Sequence, residues 1–272
     1  MAYSNFKQTF WSKFIQHELE KKCVLVDDCW KQFEGEAKYG NTVKILGVGA
    51  PTIANYNGTS IGAPQAVTDT SQSLLIDQAK YFNFAVDDVD KAQSVPGLME
   101  ALMEEATRAM AKSRDSYVAS LAKDVAQASA STSITTATAA KTAVDTAILT
   151  LRENDVPIDD DVVIELAPFV YQLLRDKYIE LSTNNHSLLA KGIVGFYDNC
   201  RVKVSNNLYS DSTDVYSMVR TKKAIAFVSQ IDEVEAYRPD DLFSDAVKGL
   251  NVFGAKVIRP KEIYLIKAHK GS

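Results

Sequence analysis

Cysteine is scarce in this chain, and a long apolar segment is missing. The 272 residues include three cysteines, Cys23, Cys29 and Cys200. An odd, small number predicts reduced thiols and not a disulfide framework. Only His17 lies near Cys23 and Cys29 as a third ligand, so no zinc site is expected. No apolar run approaches the ~18 residues of a membrane helix, and residues 1–14 lack the basic and apolar regions of a secretory signal. We therefore expect a chain that folds in a cytoplasm and has no membrane partner.

An excess of positive charge is also missing. Thirty Lys and Arg stand against thirty-five Asp and Glu, a net charge of −5. Tight binding to nucleic acid depends on clustered cations that neutralise phosphates, so a strongly basic nucleic-acid binder is excluded.

The familiar catalytic motifs are absent as well. Residues 47–52 read Gly-Val-Gly-Ala-Pro-Thr, but no Gly-Lys-Ser/Thr closes a phosphate-binding loop and no helix follows the glycines. The histidines at 17, 186 and 269 are far apart in sequence, with no nucleophile-elbow serine nearby. We predict no catalytic, cofactor-binding or metal-ligating residues. The sequence favours a structural protein, and the alternative is a soluble α/β enzyme with an unrecognised site.

One segment, residues 39–70, has an unusual composition. It holds five of the twelve glycines and only two charged residues, Lys44 and Asp69. Residues 42–48 and 65–70 have strand character, and a tip of Gly, Asn, Pro and Thr separates them, which predicts a long β-hairpin. A loop surrounded by water is normally charged, so this hairpin should lie against its own domain or against another chain.

An amphipathic helix is predicted before the hairpin, over residues 4–22. Aromatic residues that include Phe10, Trp11 and Phe14 recur on one of its faces. The face packs either on the core of the same chain or, as an arm, on a neighbouring subunit.

A strand over 73–86 and a long helix over about 95–125 are predicted after the hairpin. In the strand, Leu74, Ile76, Phe82, Phe84 and Val86 share one face. The apolar stripe of the helix contains Leu98, Leu102, Ala106, Ala109, Met110, Tyr117 and Leu121. The rest of the chain alternates between helix and strand: helices are predicted over 138–154 and 168–179, and strands over 162–166, 201–204, 224–237 and 255–268.

The order of these elements is more specific than any single motif. Four stretches carry a resemblance: 77–94, which ends in acidic residues before the long helix; 156–168 with Leu173 and Leu174; 192–196 with Val-Ser-Asn-Asn-Leu at 204–208; and 224–260. Taken in this order they resemble the tailed-phage major capsid protein of the Hong Kong 97 fold. Two places depart from the family pattern. Asp159, Asp160 and Asp161 stand where many relatives have an arginine, and Asn199-Cys200 stands where a second Gly-Phe step is common.

The resemblance implies an α+β fold with five parts. These are an N-terminal arm (1–38), an extended loop formed by the hairpin (39–72), a peripheral domain with a long spine helix and a β-sheet (73–130), an axial α/β domain (131–222), and strands that return to both domains (223–272). By the same resemblance, copies of the chain form pentamers and hexamers that close into an icosahedral shell around double-stranded DNA.

Partners and contact residues also follow from the resemblance. The subunit interface would include Lys44, Asn55, Tyr56, Asn57, Gly58 and Gly62 of the extended loop and Phe10, Trp11 and Phe14 of the arm. A separate scaffolding protein and a portal are expected partners, the packaged DNA would be contacted non-specifically, and the virion would be assembled in the host cytoplasm. The alternative is the shell protein of an encapsulin-like cellular nanocompartment, which resembles the same fold.

Overall fold

The computed structural model describes residues 23–34, 40–48, 53, 55, 58, 69–87, 98–158, 161–178, 193–239 and 243–271. The predicted helix over 4–22 lies outside these residues. The helices are α1 (Leu98–Ser120), α2 (Ala137–Glu153) and α3 (Pro168–Tyr178). The strands are β1 (Thr42–Val48), β2 (Asp69–Leu75), β3 (Gln78–Asp87), β4 (Thr132–Ile134), β5 (Val162–Leu166), β6 (Ile193–Tyr197), β7 (Cys200–Val204), β8 (Val215–Thr221), β9 (Ile225–Tyr237), β10 (Ser244–Val257) and β11 (Ile263–Lys270).

Strands β1 and β2 form the predicted hairpin. They pair antiparallel, with Thr42 opposite Leu75 at one end and Val48 opposite Asp69 at the other. The prediction of a strand over 42–48 is confirmed to the residue. The second strand begins at Asp69, so residues 65–68 of the predicted strand lie outside the described part of the chain.

A three-stranded antiparallel sheet follows, in the order β3-β10-β9. The prediction of one continuous strand over 73–86 is wrong: β2 ends at Leu75, Ile76 and Asp77 separate the strands, and β3 begins in a different sheet at Gln78. The cause is that the alternation of apolar and polar residues keeps its phase across the break. Leu74 and Ile76 are buried, as predicted, but a period of two does not reveal a change of partner strand.

The second half of the chain forms a six-stranded mixed sheet, in the order β4-β11-β8-β5-β7-β6. Every residue of β5 is buried, which fits a strand that is covered on both faces. The predicted strands over 162–166, 201–204 and 224–237 are confirmed within one residue. The strands predicted over 255–268 are the end of β10, which stops at Val257, and β11, which begins at Ile263, with a short 3-10 turn at Pro260–Glu262 between them. Strand β8 was not predicted.

Helix α1 ends earlier than predicted, and the face that it buries differs from the predicted one. Its 23 residues, at 1.5 Å each, span roughly 35 Å, and residues 121–124 continue as a 3-10 turn. The buried stripe consists of Met103, Thr107, Met110, Ala111, Arg114, Asp115, Val118 and Ala119. The predicted core residue Ala109 is exposed, and Leu102 is only half-buried. The buried face of this helix was predicted from the positions of its apolar residues alone. The prediction therefore missed the two buried charged side chains that fix the true orientation of the helix.

This orientation gives a direct test. We expect Met103→Ala to lower the free energy of unfolding by about 2 kcal/mol, because it opens a cavity at a fully buried side chain. We expect Leu102→Ala, one position along the same helix and half-buried, to cost less than about 1 kcal/mol. Urea unfolding of the two variants measures the difference, and equal costs would contradict the observed helix orientation.

Candidate assembly interface

The root of the hairpin packs on the three-stranded sheet. Val43 and Ile45 of β1 and Leu74 of β2 bury their side chains in a small apolar cluster with Ala226 and Val228 of β9. Burial of about 25 cal/mol per Å² of apolar surface gives such a cluster its stability. The root of the hairpin is therefore part of the folded body.

Polar contacts fix the same root in position. Lys256 Nζ donates to the carbonyl oxygen of Ser73 at 2.8 Å, and Gln72 Nε2 donates to that of Ile258 at 3.2 Å. Gly254 of β10 allows the closest approach: a Cβ atom there would lie 2.2 Å from the carbonyl oxygen of Leu75. Only a residue without a side chain permits two backbones to approach this closely.

The far end of the hairpin is exposed where the structure describes it. Ile53 is 96% exposed, and Asn55 and Gly58 are exposed as well. Gly58 has a φ of +81°, which glycine adopts without strain. An isolated, fully exposed isoleucine on an uncharged segment is a contact candidate that the sequence analysis did not single out.

The predicted interface residues are only partly covered by the described chain. Lys44 is exposed on β1, and no other lysine lies in residues 39–70. Tyr56, Asn57 and Gly62 of the loop lie outside the described residues, as do Phe10, Trp11 and Phe14 of the arm.

A cluster of buried charged side chains lies at the six-stranded sheet. Arg220 of β8 makes a bidentate pair with Glu165 of β5, with N···O distances of 2.6 and 3.1 Å. Lys203 of β7 lies 2.5 Å from a carboxylate oxygen of Asp28, and Arg201 lies 3.1 Å from the other oxygen of that carboxylate. Arg220, Glu165, Lys203 and Asp28 are almost completely buried.

Burial and ion pairing shift the pKa values of this cluster. Burial raises the pKa of the Glu165 carboxyl, and the Glu165 carboxylate in turn raises the pKa of Arg220 against the opposing effect of burial. Burial alone would raise the pKa of Asp28, but Lys203 and Arg201 lower it below its ordinary 3.8. Cations this close favour the ionised form of a buried carboxylate.

The sequence does carry a signal for these residues. Glu165 is the one charged residue in Val-Val-Ile-Glu-Leu, and Arg220 stands near the end of a strand whose last five residues are buried. A single charge within an otherwise apolar, fully buried strand predicts a buried partner. The identity of that partner depends on the tertiary fold.

The three cysteines are free, as the sequence predicted, and all three are buried. Burial raises the pKa of the Cys23 and Cys29 thiols to about 12, so both stay protonated at neutral pH. Within the described residues, no group of three His, Cys, Asp or Glu side chains could hold a metal ion. Among the same residues, no helix is long and apolar enough to cross a membrane.

Both the sequence and the fold are similar to those of phage capsid proteins. A family model described as phage capsid protein matches residues 69–266. A structure from Mycobacterium phage Che8 is 30% identical, covers 90% of each chain and has a TM-score of 0.73. The capsid structure of the cyanophage P-SCSP1u is 18% identical over 86% of this chain and 85% of that one, with a TM-score of 0.68. A virus-like particle from Pyrococcus furiosus, at 10% identity, covers 98% of this chain and 100% of that one with a TM-score of 0.58. No curated protein sequence matches the chain.

These similarities confirm the resemblance drawn from the order of the elements. The fold is the Hong Kong 97-like capsid fold, and the family match supports a structural role in a capsid. The family match also favours a phage capsid over the shell of a cellular compartment. Because the family model covers well over half of the sequence, this chain belongs to the phage capsid protein family.

Proposed function

We propose that copies of this chain form pentamers and hexamers that close into an icosahedral shell around the double-stranded DNA of a tailed phage. The observation that carries the proposal is the hairpin. Its root is fixed on the body by an apolar cluster and polar contacts, whereas the described residues of its far end are exposed and uncharged. A surface with so little charge loses little hydration when another protein covers it. In a capsid protein, the covering chain is a neighbouring subunit.

The two larger sheets support a division of the subunit into two domains. In this proposal, the three-stranded sheet and α1 form the peripheral domain, and the six-stranded sheet with α2 and α3 forms the axial domain. The hairpin is the extended loop, and the chain before the body is the arm. Lys44, Asn55 and Gly58, joined by Ile53, are the described residues that we assign to contacts between subunits.

The charge of the chain supports a loose contact with DNA. A net charge of −5 gives the shell wall no general attraction for phosphates. DNA that enters and leaves a shell must slide along that wall. A separate scaffolding protein and a portal complete the proposed assembly, which takes place in the host cytoplasm.

Electron microscopy and sedimentation of the purified chain test the proposal. We expect closed particles of megadalton mass, formed by the chain alone or together with its scaffolding protein. A monomer or dimer that persists at high concentration with scaffolding protein present would contradict the proposal.

Removal of residues 55–62 should separate folding from assembly. The root contacts at Val43, Ile45 and Leu74 remain, so we expect a folded subunit with an unchanged circular dichroism spectrum. Particles should be lost or much reduced, because the exposed far end of the hairpin is missing. Glu104→Gln, on the exposed face of α1, is the control and should assemble normally. Normal particles from the deletion variant would contradict the role of the loop.

A further inference from the structure

The segment of residues 24–30, here called the junction segment, lies between α1 and the six-stranded sheet. Leu25, Val26 and Asp28 within it are almost fully buried, although a short 3-10 turn is its only regular structure. An irregular segment at this depth needs a partner for each of its backbone polar groups. Backbone groups supply some of these partners, as where Cys29 N donates to the carbonyl oxygen of Val26 at 3.2 Å, and charged side chains from both neighbouring elements supply others.

One carboxylate of α1 binds the amide side of the segment. Asp115 accepts hydrogen bonds from the backbone N–H groups of Val24, Leu25 and Val26 at 2.9, 3.1 and 3.1 Å. Burial raises the pKa of Asp115, and these three donors act in the opposite direction. The contacts join residues that are about ninety positions apart in the sequence.

Two cations of the sheet bind the carbonyl side of the segment. Arg220 donates to the carbonyl oxygens of Asp28 at 2.6 Å and Leu25 at 2.9 Å, and Lys203 donates to that of Val24 at 3.1 Å. Amides therefore face the helix and carbonyls face the sheet.

The side chain of Asp28 fixes the register. Its carboxylate lies between Lys203 and Arg201, while Glu165 balances Arg220 and Asp115 faces the amides. Asp27, which is partly exposed, also lies 3.7 Å from Lys203, so four carboxylates and three cations meet around the segment. The segment then continues into the three-stranded sheet, where Trp30 N donates to Ile225 at 2.8 Å and Phe227 N donates to Trp30 at 3.1 Å.

From these contacts we propose that the junction segment mechanically couples α1 to the six-stranded sheet. Neither element can shift relative to the other without breaking a buried, charge-assisted hydrogen bond to residues 24–28. A displacement of either element is therefore transmitted through the segment to the other one. This coupling belongs to the subunit itself and does not depend on the proposed shell.

Hydrogen–deuterium exchange of the full chain, read by mass spectrometry, tests the coupling. In the wild type, peptides that contain residues 24–30 should exchange as slowly as those from β8, because both open only when the subunit unfolds. Fast exchange of the segment, comparable to that of exposed turns, would overturn the proposal even if every variant failed to fold.

Lys203→Met supplies the decisive comparison. The substitution lies in the sheet, yet we expect exchange to rise roughly tenfold in the junction segment and also in residues 111–118 of α1. Lys248→Met is the matched control: Lys248 is exposed and pairs with Glu235 at 2.8 Å, so exchange in α1 should not change. If Lys203→Met affects only the sheet and the segment, α1 is not coupled through the segment and the proposal is wrong. Sedimentation of the same samples reports assembly separately.

Discussion

Arg220→Met is expected to lower the free energy of unfolding by about 3–5 kcal/mol. The substitution leaves the Glu165 carboxylate buried without its bidentate partner. It also removes the Arg220 hydrogen bonds to the carbonyl oxygens of Asp28 and Leu25, of which Leu25 keeps a weaker one from the backbone N–H of Asp28 at 3.3 Å. Loss of one member of a buried pair costs more than the pair contributed, because the remaining charge keeps its full desolvation penalty. Urea unfolding of the unassembled subunit measures the loss.

Two comparisons make this expectation specific. Arg108→Met removes an exposed pair with Glu104 in α1 and should cost less than about 0.5 kcal/mol. The double variant Glu165→Met with Arg220→Met removes both buried charges and should be more stable than Arg220→Met alone. It should not reach the wild type, since the Arg220 hydrogen bonds to the carbonyl oxygens of Asp28 and Leu25 are still missing. A double variant less stable than the single one would show that the unpaired Glu165 is not the main cost.

Gly254→Ala is the second substitution with a large expected effect, about 3 kcal/mol, near the upper end of the usual range for overpacking. The new Cβ atom would lie 2.2 Å from the carbonyl oxygen of Leu75 and 2.9 Å from the Cα atom of Ile76. Both obstacles are backbone atoms at the root of the hairpin, so relief requires displacement of the hairpin itself. We therefore expect lower thermal stability together with faster proteolysis of the hairpin and a lower yield of particles.

Gly249→Ala is the matched control in the same strand. Its Cβ atom would also meet a close neighbour, at 2.3 Å, but that neighbour is the ring of Phe82. A half-buried aromatic side chain can move aside, so we expect a cost of about 1 kcal/mol and an unaffected hairpin. Equal rates of hairpin proteolysis in the two variants would contradict the conclusion that the close contact at Gly254 holds the root of the hairpin in position.

Much of the fold is readable from local sequence patterns. The nearly uncharged, glycine-rich segment predicts the hairpin, because a low content of charged residues is typical of a loop that another surface covers. The apolar run Val162–Leu166 predicts a fully buried strand. Thr136 caps α2 by accepting a hydrogen bond from the backbone N–H of Ala139, which is why that helix begins within a residue of its predicted start. These features depend on contacts between residues a few positions apart.

The orientation of α1 and the break between β2 and β3 were not readable in the same way. Arg114 and Asp115 look like solvent-facing residues in a hydrophobicity pattern. They are buried because Arg114 Nε donates to Asn251 at 3.0 Å and Asp115 accepts from residues 24–26. Such partners lie about ninety or more positions away in the sequence. No window of local sequence contains them.

The sequence by itself determined the type and order of most elements, the low charge of the hairpin and the family resemblance, because each follows from composition or short-range periodicity. Only the tertiary structure decided which strands share a sheet, which face of α1 is buried and which partner each buried charge receives. The physical reason is that burial of Glu165, Lys203 or Arg220 is unfavourable for each residue alone. The cost of this burial is offset only when distant parts of the chain bring opposite charges and backbone dipoles together.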